Sequence, residues 1–140
     1  MQSKEENDFI FIRLFEDEEI LEKIKSACKN HNVRTAIVLS GIGQLKQTKL
    51  GYFIKKENYS PESFDKPLEL LSLSGNISKQ KNDYFLHIHT VLGDEKKKAF
   101  GGHLIEVKIS ITAEIVLLKI PINLKRRLDE KTGLRALYLE

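Results

Sequence analysis

Runs of apolar, β-forming residues recur along this chain, and several of them alternate with polar residues at the period of a β-strand. The clearest of these runs cover residues 9–14, 68–77, 84–92 and 109–120. Residues 16–31 follow the helical period instead, and they begin with four acids, which complement the dipole of a helix at its start. These periods predict an α+β domain, with about six or seven strands in a mainly antiparallel sheet and one main helix packed on it.

The links between these elements are predicted from polar residues and glycines. Residues 34–54 are strand-like, and Gly41 and Gly43 interrupt them as a tight turn or a bulge between two strands. Residues 55–66 are polar and contain a proline, so a loop is expected there. Residues 93–98 are charged and predict the tip of a hairpin.

Length and composition indicate a single globular unit. A chain of 140 residues can bury a core without disulfides or a metal. Residues 1–8 are polar and acidic and are expected to form a flexible N-terminus, with one domain over residues 9–140. The single cysteine, Cys28, excludes an internal disulfide, and no export signal is recognisable. No apolar run approaches the roughly 20 residues that span a bilayer. A cytoplasmic protein with no membrane partner is therefore predicted.

Three of the four histidines, His87, His89 and His103, lie close together in the sequence. Side chains at positions i and i+2 of a strand project from the same face, so the imidazoles of His87 and His89 can converge. His103 follows two glycines and can complete the set from a neighbouring strand. Zinc held by three protein ligands keeps a fourth position for water or an anion. The pattern is compatible with zinc or another divalent metal, with a small anionic ligand at the open position. The alternative is that these histidines line a polar cavity or form hydrogen bonds in a subunit interface.

A metal-dependent reaction at such a site would need a proton carrier near the open position. Glu69, Glu106 and Glu114 are the candidate catalytic residues. Alternation along a strand does not decide which of the three carboxylates points inward. The alternative for each is an exposed or salt-bridged surface group.

Basic residues cluster at two places that are candidate contacts for DNA phosphates. The formal net charge is +3, and there is no recognition-helix motif, so any DNA binding is expected to be weak and non-specific. A solvated turn is the alternative for the first cluster. The candidates are Lys96, Lys97 and Lys98 at the predicted hairpin tip, and Lys125, Arg126 and Arg127 near the C-terminal end.

Six short strings, taken together and in order, resemble the plants and prokaryotes conserved domain family, abbreviated PPC. The resemblance extends over residues 9–137, which is nearly the whole chain. The strings are SGIG (40–43), LELLSLSG (68–75), LHIH (86–89), GGHL (101–104), TAE (112–114) and RRLDEKTGL (126–134).

The resemblance implies a mixed, mainly antiparallel sheet in an α+β fold, assembled as a homotrimer. The fold is similar to that of acetolactate decarboxylase, in which three histidines hold zinc. His87, His89 and His103 match the histidine positions of prokaryotic family members. The Arg-Gly-Arg-Pro hook with which plant members grip the minor groove of DNA does not occur in this chain.

The sequence therefore predicts a homotrimeric PPC domain with a three-histidine metal site and a DNA-binding or regulatory role. The alternative is a zinc-dependent enzyme or a small-ligand-binding protein.

Overall fold

The structure is a computed structural model that describes residues 1–139. Glu140, with which the expected domain ends, lies outside the described residues. The described residues form nine strands and one helix. In chain order these are β1 (Gln2–Glu6), β2 (Phe9–Phe15), α1 (Ile20–Asn30), β3 (Thr35–Lys55), β4 (Asn58–Phe64), β5 (Leu68–Gln80), β6 (Asp83–Gly93), β7 (Ala99–Lys119), β8 (Lys125–Leu128) and β9 (Arg135–Tyr138).

Seven strands form one sheet in the order β1-β2-β7-β6-β5-β3-β4, and β8 and β9 form a separate hairpin. The pairings between these strands are antiparallel. The long strands β3 and β7 also pair with each other, so β3, β5, β6 and β7 form a closed circuit of hydrogen-bonded strands. The fold is α+β, with a mainly antiparallel sheet and one main helix, as the periodicity predicts.

The core lies between one face of the sheet and the inner face of α1. Buried and exposed residues alternate along β2, and Ile10, Ile12 and Leu14 are buried. The helix begins after the acids rather than with them, because the carboxylate of Glu19 caps it by accepting a hydrogen bond from the backbone N–H of Glu22. The buried stripe of α1 consists of Ile20, Ile24, Ala27 and Cys28. No helix within residues 1–139 is long and apolar enough to cross a membrane.

The structure differs from the expectation of a flexible N-terminus over residues 1–8. Gln2–Glu6 forms β1, which pairs with β2 at the edge of the sheet. The Ser3 hydroxyl oxygen lies 2.9 Å from His31 Nε2, and a Glu5 carboxylate oxygen lies 3.2 Å from His31 Nδ1. These polar contacts attach β1 to the end of α1. A strand held in this way has no apolar alternation from which it could be predicted.

The expectation of a loop at residues 55–66 is wrong. Asn58–Phe64 forms the edge strand β4, which pairs with β3. Almost all of its side chains are exposed, so the segment has the polar composition of a loop. Pro61 is compatible with an edge strand, because an edge strand has N–H positions that need no partner.

Residues 34–54 were expected to hold two strands, and they form the single strand β3 instead. Its register against β7 shifts between Val38 and Ser40 and again between Gly43 and Leu45. The second shift is a bulge at one of the two predicted glycines. A bulge bends a strand without ending it, so one long strand can change direction within the sheet. In the sequence, the glycines at such a bend resemble a turn between two separate strands.

We expect Tyr84→Phe to lower the free energy of unfolding by about 1–2 kcal/mol. The single O–H of the buried Tyr84 is shared between the backbone carbonyl oxygens of Cys28 at 3.1 Å and of Val33 at 3.0 Å, and phenylalanine removes this donor. Urea denaturation at a fixed protein concentration measures the change. Tyr52→Phe is the control, because Tyr52 is 72% exposed. Equal changes in the two variants would contradict the prediction.

Candidate metal centre

β6 places two histidines on the outer face of the sheet, the face opposite the core. Its residues alternate, with Ile88 and Leu92 buried in the core and His87 and His89 on the other side. His87 is half-buried and His89 is exposed. His87 and His89 therefore lie on one face of a strand, as their spacing predicts.

β7 brings the third histidine beside them. His103 is the Cα partner of His89 in the pairing of β6 with β7. The Nε2 atoms of His87 and His89 are 3.2 Å apart, and the nitrogen atoms that the three rings offer all lie within 4.8 Å of one another. In a tetrahedral zinc site with nitrogen atoms about 2.0–2.1 Å from the metal, those atoms are about 3.3 Å apart. The three imidazoles therefore fit a divalent metal after small side-chain rotations.

Two glycines allow the strands on either side of β6 to approach it closely. A Cβ atom at Gly75 of β5 would lie 2.1 Å from the His87 carbonyl oxygen. A Cβ atom at Gly101 of β7 would lie 2.2 Å from the Thr90 carbonyl oxygen. Any other residue at Gly101 would push β7 away from β6 and separate His103 from His89, and any other residue at Gly75 would push β5 away from β6.

Burial lowers the pKa of two of the three histidines. It is the largest cause for His103, and with the neighbouring charges of His89 and His87 it lowers the His103 pKa to about 4. Burial, followed by the charges of His89 and Arg126, also lowers the pKa of His87. The imidazoles of His87 and His103 are therefore neutral at neutral pH, which is the form that binds a metal.

The three candidate glutamates are not brought together at this cluster. Glu69 is exposed on β5 and accepts a hydrogen bond of 2.8 Å from the Gln44 side chain. Glu106 and Glu114 are exposed on β7. Within residues 1–139, a cavity lies beside the histidines, and none of the three glutamates lines it.

The candidate DNA contacts lie in two separate segments. Lys96, Lys97 and Lys98 occupy the turn between β6 and β7, where Asp94 accepts hydrogen bonds from backbone N–H groups. Lys125 and Arg127 lie on β8. The third member of that group, Arg126, turns its guanidinium toward the outer face of the sheet and is half-buried there.

A cavity of about 680 Å³ separates the histidines from the hairpin formed by β8 and β9, and we call it the histidine–hairpin cavity. His87, His103 and Arg126 line it, and the Arg126 guanidinium contacts Asn76, the Cα partner of His87. Its volume is within the range of small-molecule sites.

Sequence reasoning missed several residues of this cavity. The ring of Tyr59 on β4 meets the His103 ring edge-on at 6.0 Å between centroids. Asn76 is the Cα partner of His87 on β5. Neither position carries a sequence signal, because β4 has the composition of a loop and the register of β5 depends on pairing across the sheet. Phe85 lies two positions before His87 on the same face of β6, as the alternation of that strand predicts.

A family model described as the Plants and Prokaryotes Conserved (PCC) domain matches residues 1–121. The chain is also 28% identical over 131 residues to the bifunctional protein GlmU of a Synechococcus strain. That match covers 92% of this chain and 20% of the relative, so the chain spans about a fifth of the relative's length.

Three solved structures are similar to the whole described fold. A plant- and prokaryote-conserved protein from Pyrococcus horikoshii is 31% identical, with a TM-score of 0.80 over 99% of this chain and 96% of that one. A metal-containing protein from Archaeoglobus fulgidus is 29% identical, with a TM-score of 0.83 over 96% and 95%. A candidate DNA-binding protein from Bacteroides thetaiotaomicron has a TM-score of 0.91 over 99% and 96%. It is 23% identical to this chain and shows the fold alone.

Proposed function

This chain belongs to the Plants and Prokaryotes Conserved domain family, and we propose that it is a homotrimeric domain that holds one divalent metal ion on three histidines and offers it to a small anionic ligand. The observation that supports the proposal is the position of His87, His89 and His103, whose ring nitrogen atoms lie within 4.8 Å of one another beside an open cavity.

Zinc is the metal that the donor set favours. Three imidazole nitrogens are typical of zinc sites that keep an open coordination position. When bound, such an ion lowers the pKa of its water and polarises a ligand carbonyl group. The metal-containing protein from Archaeoglobus fulgidus, at 29% identity over nearly all of this chain, is consistent with a metal in this fold. A zinc-dependent enzyme is the alternative to a ligand-binding role, and Tyr59, whose ring centroid lies 6.0 Å from that of His103, is a candidate proton donor for it.

The homotrimer is supported by the outer face of the sheet. A domain of this size with one helix leaves that face uncovered, and large apolar side chains are exposed on several of its strands. Exposed apolar surface on this scale is typical of a protein–protein interface. These side chains are Phe9, Phe11 and Phe15 on β2, Leu39 and Ile42 on β3, Leu71 on β5, Val91 on β6 and Ile111 on β7.

DNA association is the second candidate function. It is supported by the net charge of +3 and by the fold shared with the candidate DNA-binding protein from Bacteroides thetaiotaomicron. The basic side chains lie in two segments, on the β6–β7 turn and on β8, and a trimer would present three copies of each. Phosphate contacts made by such groups do not select a base sequence.

We expect metal-free protein to bind one Zn²⁺ per chain in a calorimetric titration, and His103→Ala to weaken binding by at least about 100-fold. The variant should keep its fold by circular dichroism, because His103 lies on the face opposite the core. His31→Gln is the matched control, since His31 lies outside the cluster and glutamine retains hydrogen-bonding groups. Equal zinc affinity in His103→Ala and the wild type would refute the metal site.

Light scattering should report a mass of about three times 16.1 kDa for the wild type at micromolar concentration. The double variant Phe11→Lys/Ile42→Lys should report one chain mass, because burying two lysines per chain in the interface is unfavourable. Ile122→Lys/Leu128→Lys is the control, since both side chains are exposed outside the seven-stranded sheet. A monomeric wild type would contradict the trimer proposal.

Binding to two unrelated DNA duplexes, followed by fluorescence anisotropy, should be weak and equal. Its affinity should fall with salt at a log–log slope of about −0.9 per phosphate neutralised. Alanine at Lys96, Lys97 and Lys98 together should make the slope shallower, because these contacts are lost. A preference for one duplex that persists at physiological salt would contradict non-specific binding and favour a regulator.

A further inference from the structure

The histidine–hairpin cavity contains a charged group that the proposed metal site does not use. Arg126 lies on β8 with its guanidinium stacked 4.8 Å from the centroid of the Phe85 ring. It donates to the Asn76 side-chain oxygen and to the Arg135 carbonyl oxygen, the latter at 3.2 Å. Its Nε–H is buried and has no hydrogen-bond partner in the described structure.

The charge of Arg126 is incompletely compensated. Its hydrogen-bond partners are both neutral oxygens, and its pKa is lowered by burial. A guanidinium has five N–H donors in a planar fork that matches a carboxylate. A half-buried cation with neutral partners keeps most of its desolvation cost, and an anion beside it would offset that cost.

The charges around the cavity also favour an anion. Arg126 and Arg135 line it, and Asp129 is the acid among its lining residues. The Asp129 carboxylate is engaged within the hairpin turn, where it accepts from the Lys131 backbone N–H at 3.0 Å and from the Thr132 hydroxyl at 2.8 Å. A divalent ion on the histidines would add two more positive charges to the same cavity.

The remaining wall of the cavity is apolar. Phe85 and Ile105 come from the sheet, and Leu134 and Leu137 come from the hairpin. Leu134 and Leu137 are 42% and 39% exposed, so they present apolar surface that a ligand can cover. An inorganic anion would leave this surface in contact with water.

We propose that the histidine–hairpin cavity binds a small carboxylic acid with a short apolar body, and that Arg126 is the residue that recognises the carboxylate. The inference rests on the proposed function in one respect, because the metal ion would hold a second polar group of the same ligand. Recognition by Arg126 also operates without the metal, so the two proposals can fail separately.

The test uses butanoate and butan-1-ol, which share the apolar body and differ in the carboxylate. Each is titrated into metal-free and Zn²⁺-loaded protein and followed by two-dimensional ¹H–¹⁵N NMR. Wild-type protein should bind butanoate at least about 10-fold more tightly than butan-1-ol in both forms. Shifts should map to the hairpin and to the Phe85 region of β6.

Arg126→Met should weaken butanoate binding by about 10-fold or more and change butan-1-ol binding less than about 2-fold. Arg127→Met is the matched control, because it removes the same charge one position along β8 from a more exposed side chain. Asn76→Asp is the second variant, and it keeps the side-chain oxygen that accepts from Arg126. Its carboxylate would compete with the ligand, so butanoate binding should weaken while the hairpin stays in place.

Butanoate affinity that is unchanged in both Arg126→Met and Asn76→Asp would overturn the assignment, as would equal binding of butanoate and butan-1-ol by the wild type. If zinc fails to bind the histidines, the proposed metal function is wrong. In that case the Arg126 dependence measured in the metal-free protein still decides the inference.

Discussion

The pairing of β6 with β7 is the contact on which the rest of this molecule depends. It closes the circuit of strands β3, β5, β6 and β7, and the same register sets His89 opposite His103. Because successive side chains of a strand point to opposite faces, β6 places Ile88 in the core and His87 on the outer face. The histidines are therefore held by the packing of the core without occupying it, which gives a site the rigidity that ligand geometry requires.

The hairpin of β8 and β9 is held to the rest of the domain by side-chain contacts instead of by strand pairing. A two-stranded hairpin is marginally stable alone, and this one has no strand neighbour among residues 1–139. Arg126 attaches it to the sheet through the Phe85 ring and the Asn76 side chain. Lys56 adds a second attachment, donating to the Glu130 carbonyl oxygen at 2.8 Å. These contacts hold the hairpin against the sheet, and the histidine–hairpin cavity lies between the hairpin and the sheet.

The sequence was informative where one physical cause dominates a segment. β2 was predictable from its run of apolar β-forming residues, and α1 was predictable from the helical period of its apolar residues. The cluster was predictable for a related reason, since spacing on a strand fixes the direction of His87 and His89. β1 and β4 were missed because their positions depend on backbone pairing and polar contacts, which leave no apolar period. The role of Arg126 was missed because its partners Asn76 and Phe85 are distant in sequence and meet it only through the register of β5 and β6.

The charges at the site constrain what it can hold. The neutral imidazoles of His87 and His103 can accept a dication, but they add no negative charge to balance it. Arg126 raises the positive charge further, and Asp129 is already engaged in its turn. A structural zinc site commonly includes thiolates, whose charge offsets that of the ion. Here the described residues supply no such group to the cluster, so the balancing charge would have to come from outside the domain. An anionic ligand in the cavity meets that requirement at both the metal and Arg126, which is why the electrostatics of this fold favour ligand binding over a purely structural metal.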